Sequence, residues 1–137
     1  SDVCSSDLRA GMTVSDNIIY EVLNIVCIRD RELEGFGGID TPLKDNLSQG
    51  QKLRLSLATM LVRAIVNESD LIILDEIDQN VSEDMARSIL INILTRFSDK
   101  TIMCIVHLKC LQELQGVYNK VLDISEGVIK DVSCDLV

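Results

Sequence analysis

The most constraining feature of this chain is a pair of short apolar runs, each cut off by residues that can do chemistry. Leu71-Ile72-Ile73-Leu74 stops at Asp75-Glu76, and Thr101-Ile102-Met103-Cys104-Ile105-Val106 stops at His107. Runs of this length, bounded by charged or turn-forming residues, predict strands buried on both faces rather than helices. Between them, Met85, Ile89, Ile93 and Phe97 fall in one helical row with Leu90 and Leu94 beside it. Ser82 is placed to cap that helix, with Glu83 and Asp84 in its first turn. A helix between two buried strands is the crossover a parallel pair requires. Both strands then end on one rim, where ligands sit in parallel sheets, and bring Asp75, Glu76 and His107 there together.

The rest of the chain extends this pattern. From residue 13 to about residue 28, Val14, Ile18, Val22, Ile25 and Val26 recur at helical spacing, and Thr13 followed by Asp16 offers an N-cap. Residues 29–46 hold Gly35, Gly37, Gly38 and the only proline, Pro42, and predict a long connection with a short helix at 31–35. Ser48 with Gln51 forms a capping box that opens a second long helix, whose stripe is Leu53, Leu57, Met60, Leu61, Ala64 and Ile65. Residues 121–124 and 128–132 flank Ser125-Glu126-Gly127 as a hairpin. The succession of strands and helices predicts an α/β fold with a parallel sheet.

Composition removes several function classes. The chain has 137 residues, enough for one domain or a piece of a larger one. Its 13 Lys+Arg against 22 Asp+Glu give a net charge of −9, the wrong sign for a surface that binds a phosphate backbone. Aromatics are 3% and Trp is absent, which also argues against base stacking, so no nucleic-acid partner is expected. No apolar run approaches the ~18 residues of a membrane span. The five cysteines, Cys4, Cys27, Cys104, Cys110 and Cys134, are odd in number and show no C-x-x-C pair. That pattern fits reduced thiols in a cytosolic setting better than a disulfide framework, and the first residues lack the pattern of a signal peptide.

Taken singly, each polar feature has an ordinary explanation. A Ser-x-x-Gln at a helix start is usually only a cap, although such an end can also hold an anion. Two acids after a strand can be a solvated pair, or one can hold hydrated Mg²⁺ while its neighbour activates water. A single histidine is usually structural. Their convergence on one rim is what raises them together.

Read jointly, these residues resemble the ATP-binding cassette (ABC) ATPases. Leu47-Ser48-Gln49-Gly50-Gln51 resembles the signature L-S-G-G-Q, with Gln49 in place of the first glycine. LIILDE, residues 71–76, is similar to the Walker B strand and its catalytic glutamate. TIMCIVH, residues 101–107, is similar to the strand that ends in the switch histidine. Thr13-Val14-Ser15-Asp16-Asn17-Ile18 and Gly38-Ile39-Asp40-Thr41 resemble the lead-in to the signature in exporter-type cassettes, and VLDISEGVIK resembles the closing strand pair. The likeness covers about residues 12–132.

It implies part of a P-loop NTPase (RecA-like) core with a parallel sheet, at about 67–132, plus the helical signature subdomain at about 12–66. Residues 1–11 stay unassigned and 133–137 form a tail. The implied activity is ATP hydrolysis in a complete parent protein that couples dimer closure to transport, on the cytoplasmic side of a membrane, with ATP and Mg²⁺. Glu76 and His107 are implied as catalytic and Asp75 as holding Mg²⁺ through water. Leu47, Ser48, Gln49, Gly50 and Gln51 would face the ATP of a second, head-to-tail cassette, and transmembrane domains are the other implied partners.

Two departures stand out. Asn80-Val81-Ser82 replaces the family's Ala-Leu-Asp, and no G-x-x-x-x-G-K-[ST] phosphate loop occurs anywhere in the chain. The implied object is therefore the C-terminal portion of a cassette, inactive by itself. The alternative is the ATPase head of a structural-maintenance-of-chromosomes protein, which Asp75-Glu76-Ile77-Asp78 also resembles; Gln51 and His107 speak against it. A degenerate cassette that only binds a partner is disfavoured by Glu76 and His107.

Overall fold

The computed structural model describes residues 8–9, 12–39, 46–107 and 117–133. Helix α1 spans Asp16–Ile25, shorter at both ends than the periodicity predicts. Its N-cap is Ser15 rather than Thr13, and the Ser15 carbonyl accepts from the Ile18 and Ile19 N–H groups. The apolar pattern runs on to Ile28, but the helix closes at Cys27, whose φ of 58° is left-handed. The Ile28 N–H then returns to the Leu23 carbonyl at 2.8 Å, the closure typical of a helix C-terminus. Helix α2 spans Asp30–Phe36 and ends at Gly37 with φ of 107°, where a side chain would be strained.

Helix α3 spans Gln49–Val66 and opens as expected. The Ser48 hydroxyl accepts from the Gln51 N–H at 3.2 Å, and the Gln51 side chain accepts from the Ser48 N–H at 2.9 Å. Helix α4 spans Glu83–Arg96, with the Ser82 hydroxyl accepting from the Met85 N–H. Helix α1 packs against both α3 and α4, burying Ile19, Val22, Leu23, Leu55, Leu61, Ile89 and Ile93 almost completely.

Strands β1, Leu71–Asp75, and β2, Thr101–Ile105, pair in parallel with Leu71 opposite Thr101 and Asp75 opposite Ile105. The crossover through α4 is thus the one the sequence predicts. Burial on both faces is not found. Ile72 and Leu74 are buried, whereas Leu71, Ile73, Met103 and Ile105 are each more than half exposed. Side chains alternate across a strand, and the described helices cover only one face.

Strands β3, Leu122–Ser125, and β4, Val128–Asp131, form a separate antiparallel pair rather than a continuation of the parallel sheet. The turn holds two residues, not three: Ser125 still pairs with Val128, and Glu126 and Gly127 take φ of 50° and 75°, as a tight hairpin turn demands. The result is a mixed α/β structure with a small parallel sheet. No described helix is long and apolar enough to cross a membrane.

Candidate functional site

The carboxyl ends of β1 and β2 lie side by side because the strands are parallel and in register. The Glu76 N–H donates to the Ile105 carbonyl at 2.8 Å, which carries the ladder one residue past β1. There the chain turns: Glu76 adopts φ of 50°, and the Gln79 N–H returns to the Glu76 carbonyl at 3.1 Å. Asp75 and Glu76 both end exposed to solvent, and the Gln79 side-chain amide donates to the Glu76 carboxylate. The structure therefore puts Asp75, Glu76 and His107 at the same end of the same two strands.

His107 is tied to this turn by one acid that the sequence reading did not single out for a role. Asp78 Oδ2 accepts from the His107 backbone N–H at 2.9 Å and lies 3.0 Å from His107 Nδ1. The Asp78 side chain is only 11% exposed, while that of His107 is 68% exposed. Burial raises the Asp78 pKa, but the hydrogen bonds from His107, its own N–H and the His107 charge outweigh burial and leave the carboxyl below its ordinary value. The signal available beforehand was a third acid in Asp75-Glu76-Ile77-Asp78; its contact across the rim was not readable from spacing.

The N-terminus of α3 closes on the same turn. A Cβ built on Gly50 would lie 2.5 Å from the Asn80 carbonyl oxygen and 3.4 Å from Val81 Cγ1. Only a glycine lets the two backbones come this close. Among the described residues the Gln49 and Gly50 N–H groups have no acceptor, so the start of α3 keeps open donors beside the turn that carries Glu76 and Asp78. Leu47 is half-buried and packs against the core, so its side chain anchors the approach to the helix.

Beneath this end sits an ion pair that the sequence did not announce. Buried Arg54 donates to both Glu32 oxygens, at 3.0 and 2.5 Å, and to the Cys27 carbonyl at 3.0 Å. The Gln51 amide reaches the same carboxylate at 3.3 Å. A partner 22 residues away leaves no periodic signature. The thiols play no comparable part. Burial raises the pKa of Cys27, and pushes that of Cys104 up to about 11, so both are protonated and behave as small apolar groups; Cys4, Cys110 and Cys134 lie outside the described residues. A groove of about 660 Å³ is lined by Cys27, Arg29, Glu32, Ser82 and Asp84.

No protein-family model matches the chain. It is 41% identical over 85 residues, 61% of its length, to ATP-binding cassette transporter abc4 of Schizosaccharomyces pombe. It is 31% identical over 121 residues, 88% of its length, to ABC transporter ecdL of Aspergillus rugulosus. It is 43% identical over 63 residues, 46% of its length, to the lactococcin-G-processing and transport ATP-binding protein LagD of Lactococcus lactis subsp. lactis. The matched stretch spans 5%, 7% and 8% of those relatives. The likenesses favour the transporter class over the chromosome-associated alternative. Three motifs in their order, on a fold that brings them to one rim, and relatives of a single kind place this chain in the ATP-binding cassette transporter family.

Proposed function

We propose that the chain is the signature and Walker B portion of the ATP-hydrolysing cassette of an ABC transporter, with residues 12–66 as its helical part and 67–132 as part of its catalytic core. The reading rests on one observation above the others. Parallel pairing gathers Asp75, Glu76 and His107 at one end of β1 and β2, while Gly50 brings the open N-terminus of α3 against the turn between them and Ser82.

The residues present fit the groups that this reading implies. The described residues contain no cluster of three or more metal-ligating side chains. Mg²⁺ does not need one, because it is commonly held by one or two carboxylates with water and substrate phosphates. Exposed Asp75 suits that task through water. The first turn of α3 offers Ser48 and the open N–H groups of Gln49 and Gly50, a donor set suited to phosphate oxygens. Mg-ATP, when bound, supplies a phosphoryl group whose transfer to water is mostly positioning and charge neutralisation.

Each side chain then has one task. Glu76 orients the attacking water and takes its proton, and the Gln79 amide holds that carboxylate in place. His107 meets the terminal phosphate. Leu47, Ser48, Gln49, Gly50 and Gln51 present their helix end to the nucleotide of a second cassette, docked head to tail, and transmembrane domains complete the transporter at the cytoplasmic face.

The test uses the transporter reading frame that contains this chain. Glu76→Gln keeps ATP binding and lowers steady-state hydrolysis at least ~100-fold, since an amide cannot act as a base. Hydrolysis within a few-fold of wild type removes Glu76 from this role.

A further inference from the structure

Asp78 belongs to no motif of the reading above, yet its side chain joins the turn after β1 to the residue that follows β2. One of its oxygens, Oδ2, meets both the His107 backbone N–H, at 2.9 Å, and the His107 ring at Nδ1, at 3.0 Å. An ionised carboxylate only accepts hydrogen bonds, so the ring contact requires the proton on Nδ1. The other oxygen, Oδ1, is buried with no hydrogen-bond partner among the described residues. A carboxylate held so close to the protein interior is costly unless it is well occupied, and the His107 contacts, with its own N–H, are what occupy it.

The geometry points to Asp78 as a positioning residue that holds His107 in its Nδ1–H tautomer and leaves Nε2 alone to meet whatever binds at the rim. The second ring nitrogen of a histidine takes its role from the bond the first one makes. With Nδ1–H committed to Asp78, neutral His107 offers Nε2 as an acceptor. The backbone contact adds a second constraint, since the peptide carrying the ring is held by the same oxygen. The high exposure of the ring and the low exposure of Asp78 fit a presented group on a fixed support. The functional half of this inference rests on the proposed ATPase reading; the tautomer half does not.

His107 is the only histidine in the chain, so one long-range ¹H–¹⁵N imidazole spectrum reports it without assignment. In the 137-residue chain with the ring in its neutral form, wild type shows the Nδ1–H pattern. Asp78→Ala shifts the ring toward Nε2–H, and Asp78→Asn, which keeps an acceptor oxygen and the shape, restores part of the Nδ1–H signal. A wild-type ring in the Nε2–H form, or an Asp78→Ala ring that stays Nδ1–H, overturns the inference.

In the transporter reading frame, Asp78→Ala lowers kcat for ATP about 10- to 100-fold, the scale of losing a partner that orients a histidine, while KM changes less than about 2-fold. Asp78→Asn recovers part of kcat, and adding His107→Ala to Asp78→Ala costs little more. If Glu76→Gln abolishes turnover and Asp78→Ala leaves kcat unchanged, the positioning role is wrong. If Glu76→Gln and His107→Ala are both without effect, the ATPase reading fails instead, and the tautomer spectra alone decide the role of Asp78.

Discussion

Gly50 shows how much a single absent side chain carries. Replacing it with alanine in the first turn of a helix would ordinarily help, by up to ~1 kcal/mol of helix propensity. Here the new Cβ would lie 2.5 Å from the Asn80 carbonyl oxygen, and a backbone oxygen in a turn cannot step aside like the tip of a flexible side chain. Overpacking of that kind costs about 1–3 kcal/mol, so the clash outweighs the propensity gain. Gly50→Ala is expected to lower stability by about 1–2 kcal/mol in urea titrations, whereas Gly35→Ala, in open space within α2, raises it or leaves it unchanged. The same Gly50 substitution would push the turn holding Glu76 and Asp78 out of place, which gives the position a functional as well as a packing role.

Between elements, the pair Arg54–Glu32 ties α3 to α2. Arg54 is 7% exposed, and its guanidinium has carboxylate oxygens and the Cys27 carbonyl as partners. Removing only the acid strands a desolvated cation, which costs about 3–5 kcal/mol when burial is complete. The Glu32 side chain keeps 25% of its exposure, so Glu32→Ala is expected at about 2–3 kcal/mol. Replacing both, Glu32→Leu with Arg54→Met, removes the stranded charge and is expected to be less destabilising than Glu32→Ala alone. A double-mutant cycle by chemical denaturation measures the difference. A double variant worse than the single would mean that packing of the long Arg54 stem, and not the charge, holds these helices together.

At the scale of the whole molecule, the uncovered face of the parallel sheet sets the behaviour in solution. Leu71, Ile73, Met103 and Ile105 lie exposed on it, a contiguous apolar patch on two strands whose outer edges pair with no other strand among the described residues, and such surfaces favour association. The net charge of −9 opposes this by mutual repulsion. Salt screens that repulsion over a Debye length of ~10 Å at 0.1 M without weakening apolar contact. Self-association of the 137-residue chain, followed by light scattering, should therefore rise from low to high salt. Ile73→Lys should suppress it at every salt concentration; a mutant that scatters like wild type would place the sticky surface elsewhere.

Local chemistry determined what could be read from residue order alone. The capping box of Ser48 and Gln51, the Ser82 cap, the stripe of α4 and the strand–helix–strand order all depend on neighbours within a few residues, and the structure has them where the pattern puts them. The succession of Ser48, Asp75-Glu76 and His107 was equally legible, because each sits where an element starts or ends. What the tertiary structure decided depends on distance across the fold. An apolar run in β1 cannot say whether both faces find a cover; only one does. The hairpin's own residues favour antiparallel pairing but say nothing of which sheet it joins. Asp78 reaching His107, Glu32 reaching Arg54 and Gly50 resting on Asn80 join residues 22 to 30 positions apart, where no periodicity survives and only packing brings the groups together.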